Sequence, residues 1–262
     1  MQGPPDRRSP PILFTRSANE WLNKVSQKHK EFAALSLAPG QKENLDRWEE
    51  VEFIRSTLEL GCVNVSRDAI ARISAAPPTD LAAADDNSLA VADLLMAVRM
   101  VKSVVRACAA ATLTPDLLAR LHDPSGRGEG FRKSAGDRSR ALKPAPAEHL
   151  ASAIESACRW FTAESFEELN PIEQASIVYL RLTEIQPFER ANERAALVAA
   201  SLFTLRGGLP LIIITTGLQG AYRAALDEGA KMNTRPMVEM IADAVGQSIE
   251  EMIRIAGGNA KR

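Results

Sequence analysis

Cysteine is scarce in this chain: Cys62, Cys108 and Cys158 are odd in number, far apart and without a CxxC pair. That pattern excludes a disulfide framework and a cysteine zinc site, and it fits a reducing compartment. Histidine is equally rare, and His29, His122 and His149 are widely separated in sequence. No Cys/His nucleophile pair is suggested. Net charge is only −1, so neither nucleic acid nor an anionic membrane is expected as a partner. No apolar run reaches about 18 residues, so no transmembrane helix is expected. The segment Met1–Pro11 is rich in proline and arginine and lacks the apolar stretch of a secretory signal. These absences together read as a cytoplasmic protein.

What is present is helical periodicity. Apolar residues make up 45% of the 262 positions, enough for a substantial core in one or two domains. Residues 1–17 read as a flexible tail. Helices are expected from Ser17 to Ala34, from about Lys42 to Leu60, from Ser66 to Ser74 and over Ser88–Ala111. Gly61 is expected to stop the second of these. Thr114-Pro115-Asp116 supplies a cap, a proline at the first helical position and an acid in the first turn. Asn170-Pro171-Ile172-Glu173 is a second strong start, with Glu173 closing a capping box. From Ala195 to Leu205 nine of eleven residues are apolar on every side, the mark of a helix buried all round. Leu209–Thr216 reads as a short extended apolar piece, followed by two last helices. Trp21, Trp48, Trp160, Phe203 and Tyr222 read as packing residues, and Cys158 as buried.

Between Gly126 and Lys143 lie six basic and two acidic residues with several glycines. This stretch predicts a surface loop or a small β-hairpin rather than a packed helix.

Function is best sought in the polar loop Gln186–Arg194 that enters the buried helix. Free N–H groups and the positive dipole end make such a terminus a ready anion site. Asn192 is suited to cap it, and Arg194 is a candidate phosphate ligand. The loop resembles the Fic family motif His-Pro-Phe-x-Asp/Glu-Gly-Asn-Gly-Arg-x-x-Arg, matching it at Pro187, Phe188, Asn192 and Arg194, four of nine specified positions. The surroundings resemble the family too. Asn170–Ala175 is similar to the helix opening before the motif, Gly130-Phe131-Arg132 to the target-docking flap, and Leu113–His122 to the helix before the flap. Leu209-Pro210 and Tyr222–Leu226 are similar to segments that follow it.

The resemblance implies a mainly α fold: a Fic-type helical bundle around a buried central helix, with a β-hairpin flap. It implies a core over 112–255 behind an N-terminal helical region over 18–111. It also implies transfer of AMP from ATP to a protein hydroxyl, with ATP or another nucleotide as ligand and a protein target docked at the flap. The substitutions oppose that activity. Gln186 stands where the family's general base is histidine, and an amide has no useful basicity. Arg190 stands at the Mg²⁺-holding acid, so no Mg²⁺ is expected. Ala191 and Glu193 replace glycines that allow close approach to phosphate, and Leu197 replaces the second arginine. Glu59 is the candidate for the family's inhibitory glutamate, with Arg55 at the hydroxyl position.

The expectation is therefore a catalytically degenerate member that retains nucleotide or anion binding through Asn192, Arg194, Arg190 and Glu193. Two alternatives stand beside it. One is an active nucleotidyl- or phosphotransferase with altered, metal-independent chemistry. The other is a non-enzymatic interaction scaffold. In the bland reading, Asn192 and Glu193 only cap the helix and offset its dipole, and the arginines are solvated.

Overall fold

The computed structural model describes residues 16–77, 84–128, 130–136 and 144–258. The expected tail (1–17) therefore lies almost wholly outside the described residues. Eleven α-helices account for most of the described chain: α1 (Arg16–Ala33), α2 (Pro39–Leu60), α3 (Arg67–Ala75), α4 (Asp86–Ala107), α5 (Pro115–His122), α6 (Leu150–Trp160), α7 (Glu164–Glu167), α8 (Pro171–Ile185), α9 (Asn192–Arg206), α10 (Gln219–Gly229) and α11 (Arg235–Gly258). No strand occurs among the described residues. Residues 130–136 of the expected hairpin run through bends, and Glu129 and 137–143 fall outside the described residues.

Local chemistry sets most helix starts. Thr114 Oγ1 accepts from Leu117 N at 3.1 Å ahead of α5. Asn170 Oδ1 accepts from Ile172 N, and Glu173 Oε2 accepts from Asn170 N, each at 2.9 Å, ahead of α8. Asp85 caps α4 through the N–H groups of Asn87 and Ser88. Pro39 opens α2 at its first position, where a missing N–H costs nothing. At the far end of α2, Gly61 stays at φ −85° and Cys62 takes the left-handed turn at φ 61°.

Helix α9 is the centre of the molecule. Residues 195–204 are all buried, as the apolar-all-round sequence requires. It packs along α8, while α4 and α5 cover another side and α11 backs α8. Phe161, Phe166 and Phe203 meet with ring centroids 5.4–6.2 Å apart, within the range favoured by aromatic pairs.

The extended segment after α9 is buried over 209–214 without sheet partners, so its backbone donors need side chains. Leu211 N donates to Glu49 at 2.8 Å, and Ile212 N donates to Ser201 Oγ at 3.3 Å. Glu49 is in turn 2.7 Å from Lys102 Nζ on α4, and both side chains are buried. This ion pair joins α2, α4 and the segment behind α9.

Candidate functional site

The loop 186–191 connects the two central helices, and its shape rests on two left-handed residues that are not glycine. Gln186 has φ 49° and Ala191 φ 59°, each costing roughly 1–2 kcal/mol of backbone energy that its surroundings must offset. Asn192 contributes in a way its sequence position did not suggest. Ala191, not Asn192, is the N-cap of α9, and Asn192 is the first helical residue. Its amide instead closes the loop: Phe188 N donates to Asn192 Oδ1 and Asn192 Nδ2 donates to Phe188 O, both at 2.8 Å.

Arg132 holds the other side. It is 4% exposed, and its guanidinium donates to Gln186 O at 2.5 Å, Ile185 O at 3.1 Å, Ser134 O at 2.6 Å and Ala145 O. Burial pushes its pKa down, partly offset by Glu189. Its backbone N–H donates to Pro187 O at 2.9 Å. Glu189 completes the clasp, accepting from Lys133 N at 3.1 Å, Ser134 N at 3.2 Å and Ser134 Oγ at 2.6 Å. The Ser134 hydroxyl, followed by the Lys133 N–H, holds the Glu189 carboxyl below its ordinary pKa. Three consecutive N–H groups of the expected docking flap are thus already bonded to the motif loop.

Phe188 is buried between Phe131, 5.5 Å away, and His122, whose ring stacks on it at 3.7 Å and 7°. His122 Nε2 lies 3.0 Å from Arg190 O. A carbonyl only accepts, so Nε2 carries the proton and Nδ1 is the bare nitrogen. That Nδ1 is buried without a hydrogen-bond partner. Burial lowers the His122 pKa, so the ring is neutral near pH 7. In sequence no histidine stood near Gln186, yet the fold brings His122 to the same loop. The His122–Phe188 stack joins α5 to the loop, and only an explicit pairing of the two could have revealed it.

A cleft of about 1020 Å³ opens beside the loop. Gln186, Arg190, Asn192, Glu193 and Arg194 all line it, as do His122, Thr57, Leu58, Leu60, Leu89, Leu94 and Leu197. The motif residues Pro187 and Phe188 are buried and outside its lining. Gly130, Phe131 and Arg132 are also outside it; Phe131 packs on Phe188 and Arg132 bonds the loop. Glu59 does not line it; Arg55 Nη1 holds the Glu59 carboxylate at 2.9 Å.

The charges of the cleft are mixed. Asp86, Asp93, Asp123, Glu189 and Glu193 face Arg127, Arg190 and Arg194. Arg127 bonds both Asp93 oxygens at 2.8 Å. Glu193 accepts from Tyr222 at 2.7 Å, and Tyr222 shares a 2.6 Å hydrogen bond with the buried Tyr179. Burial pushes the Tyr179 pKa well up, so that hydroxyl stays neutral. Among the described residues neither Arg190 nor Arg194 has a carboxylate within ion-pair distance; Arg190 is exposed, whereas Arg194 is half-buried in the first turn of α9. Burial lowers the Arg194 pKa, with Asp93 opposing and Arg190 adding to the effect. On the α2 side of the lining, Thr57 is 2% exposed and its hydroxyl has no hydrogen-bond partner. Among the described residues no group of three His, Cys, Asp or Glu side chains is placed to hold a metal ion.

Residues 112–204 match the model of the Fic/DOC family. Two mosquito proteins named Protein adenylyltransferase Fic are similar over part of the chain. The Culex quinquefasciatus protein is 27% identical over 130 residues, and the Aedes aegypti protein 25% over 128. Each alignment covers 49% of this chain and 25% of the relative, so the matched region spans about a quarter of those proteins. Among solved structures, Fic-1 (134–508) from C. elegans superposes with a TM-score of 0.76 at 20% identity, covering 90% of this chain and 71% of that one. A Fic domain containing signaling protein from Bacteroides thetaiotaomicron gives 0.76 at 18%, covering 91% and 98%. IbpAFic2, solved covalently tethered to Cdc42, gives 0.51 at 14%, covering 90% and 72%. Residues 112–204 are thus similar to the Fic/DOC family, and the chain shares the helical fold of the solved Fic-domain structures.

Proposed function

We propose that this protein is a Fic-fold member that binds an anionic ligand at Arg194 and does not transfer AMP by the family's route. The observation that carries this reading is the state of the motif loop's own acids. Glu189 is committed to Lys133 and Ser134 of the flap, and Glu193 accepts the Tyr222 hydroxyl. Neither is placed to hold Mg²⁺ between phosphates, and Arg190 at the metal position repels a cation. Gln186 at the base position cannot accept a proton from a target hydroxyl near neutral pH. ATP fits the cleft by volume, but among the described residues its lining holds five carboxylates against three guanidiniums.

Proteins similar to this one carry the name adenylyltransferase, so AMP transfer to a protein is the activity to test. Purified protein incubated with α-labelled ATP and Mg²⁺ is expected to transfer no label to itself or to candidate proteins. Robust transfer that Arg194→Ala abolishes would refute the proposal.

A second reading has one observation in its favour. His122 is neutral, carries a bare Nδ1 and borders the same cleft. If the chain has an altered, metal-independent activity, His122 supplies the base that Gln186 cannot. His122→Asn would then abolish the activity while leaving ligand affinity intact.

The expected docking of a protein target on the flap requires the Glu189 clasp to open first. The N–H groups of residues 132–134 serve the loop in this conformation, so an incoming strand has to displace them.

A further inference from the structure

The cleft can be characterised by what it leaves unsatisfied. Arg127 is held by Asp93, and among the described lining residues carboxylates outnumber guanidiniums five to three. Among the same residues two guanidiniums have no carboxylate partner, and of these Arg190 is exposed to solvent. Arg194 sits half-buried at the N-terminus of the 15-residue α9, without a carboxylate in ion-pair distance among the described residues. A helix terminus and a single guanidinium suit one anionic group. A second and independent feature lies on the α2 wall: the Thr57 hydroxyl, 2% exposed and without a partner in its surroundings. The same lining includes the apolar side chains of Leu58, Leu60, Leu94 and Leu197.

A polyphosphate fits this arrangement poorly. Each further phosphate adds negative charge beside Glu193, and among the described lining residues the other guanidinium without a carboxylate partner, Arg190, is exposed and screened by solvent. A ligand with one anionic head and a mainly apolar body satisfies every feature. Its head meets Arg194 and the α9 N–H groups, its body covers the leucines, and a polar atom on it can meet Thr57. The volume, about 1020 Å³, is ample for such a molecule.

We infer that the cleft selects a small molecule with a single anionic group, phosphate monoester or carboxylate, attached to an apolar body, in preference to ATP. This rests on the reading of Arg194 as an anion site and names the ligand class of that site.

The test is calorimetry on the full chain with four probes: phenyl phosphate, 4-phenylbutyrate, inorganic phosphate and ATP. One of the first two is expected to bind about tenfold more tightly than either inorganic phosphate or ATP, and which of them does so tells phosphate from carboxylate. Arg194→Ala is expected to weaken that binding by about ten- to a hundredfold, the worth of a charge-assisted hydrogen-bonded pair. Thr57→Val has a signature that mere structural damage would not give. It removes an unpartnered hydroxyl, so the unliganded protein melts no lower than wild type, while affinity for the preferred probe falls severalfold. Tightest binding by ATP, binding indifferent to Arg194→Ala, or no binding of any probe at millimolar concentration would each overturn the inference. Label transfer from ATP would sink the non-transferring reading above. A reversed probe order without label transfer would sink this inference alone.

Discussion

Replacing Arg132 by alanine tests whether the loop conformation is built as described. Its guanidinium donates to four carbonyls, and two of them, Gln186 O and Ile185 O, sit where water cannot replace the lost donor. A buried acceptor left unsatisfied costs about 1–3 kcal/mol. The Ser134 and Ala145 carbonyls are nearer solvent and add less. The sum is about 4 kcal/mol, after allowing for recovered hydration of a buried charge. For a chain of this size that lowers Tm by roughly 8–16 °C. Arg132→Lys should fall between wild type and alanine, because one ammonium cannot span the guanidinium fork. Thermal and urea unfolding supply the magnitude. Hydrogen exchange supplies the location, with the amides of Gln186 and Phe188 expected to exchange faster. A Tm within about 2 °C of wild type, or faster exchange confined to distant helices, would refute the assignment.

Three further outcomes follow from buried chemistry. Lys102→Met strands Glu49 in the core and should cost about 3–5 kcal/mol. Burial alone would lower the Lys102 pKa, but the Glu49 carboxylate more than compensates and holds it raised. Its contribution is therefore fully present below the unfolded value and lost as pH rises through the folded one, so variant and wild type converge only above about pH 10.5. A thiol titration at pH 8 should count Cys62 and Cys108 promptly and Cys158 only after unfolding, since burial pushes Cys158 up to about 11; three fast native thiols would contradict that burial. Gly136→Ala places a methyl 2.5 Å from Pro144 Cβ and 2.8 Å from Gln186 Oε1, and is expected to cost about 1–3 kcal/mol by overpacking, read as a lowered Tm.

Helix starts with local chemistry were legible in the sequence. Thr114-Pro115 and Asn170-Pro171-Ile172-Glu173 cap their helices as read, because donor and acceptor lie within three residues of each other. The all-round burial of α9 was equally plain. Asn192 was harder. Its residue type suits a cap, but the left-handed turn falls at Ala191 and the side chain closes the loop instead. Glu59 shows the same sensitivity on a helix, where one residue turns a side chain by about 100°; Leu58 and Leu60 line the cleft while Glu59 bonds Arg55. His122, Thr57 and the Glu189 clasp depend on contacts between distant segments, and no spacing in the sequence announces them.

The proposed anion site and the proposed loss of AMP transfer can be tested in one assay. Incubation with α-labelled ATP and Mg²⁺ tests them most directly, with wild type beside Arg194→Ala and a variant carrying Gln186→His, Arg190→Glu, Ala191→Gly and Glu193→Gly. No label transfer by wild type above the Arg194→Ala background is expected, with any gain confined to the fourfold variant. Transfer by wild type that disappears in Arg194→Ala would contradict that expectation.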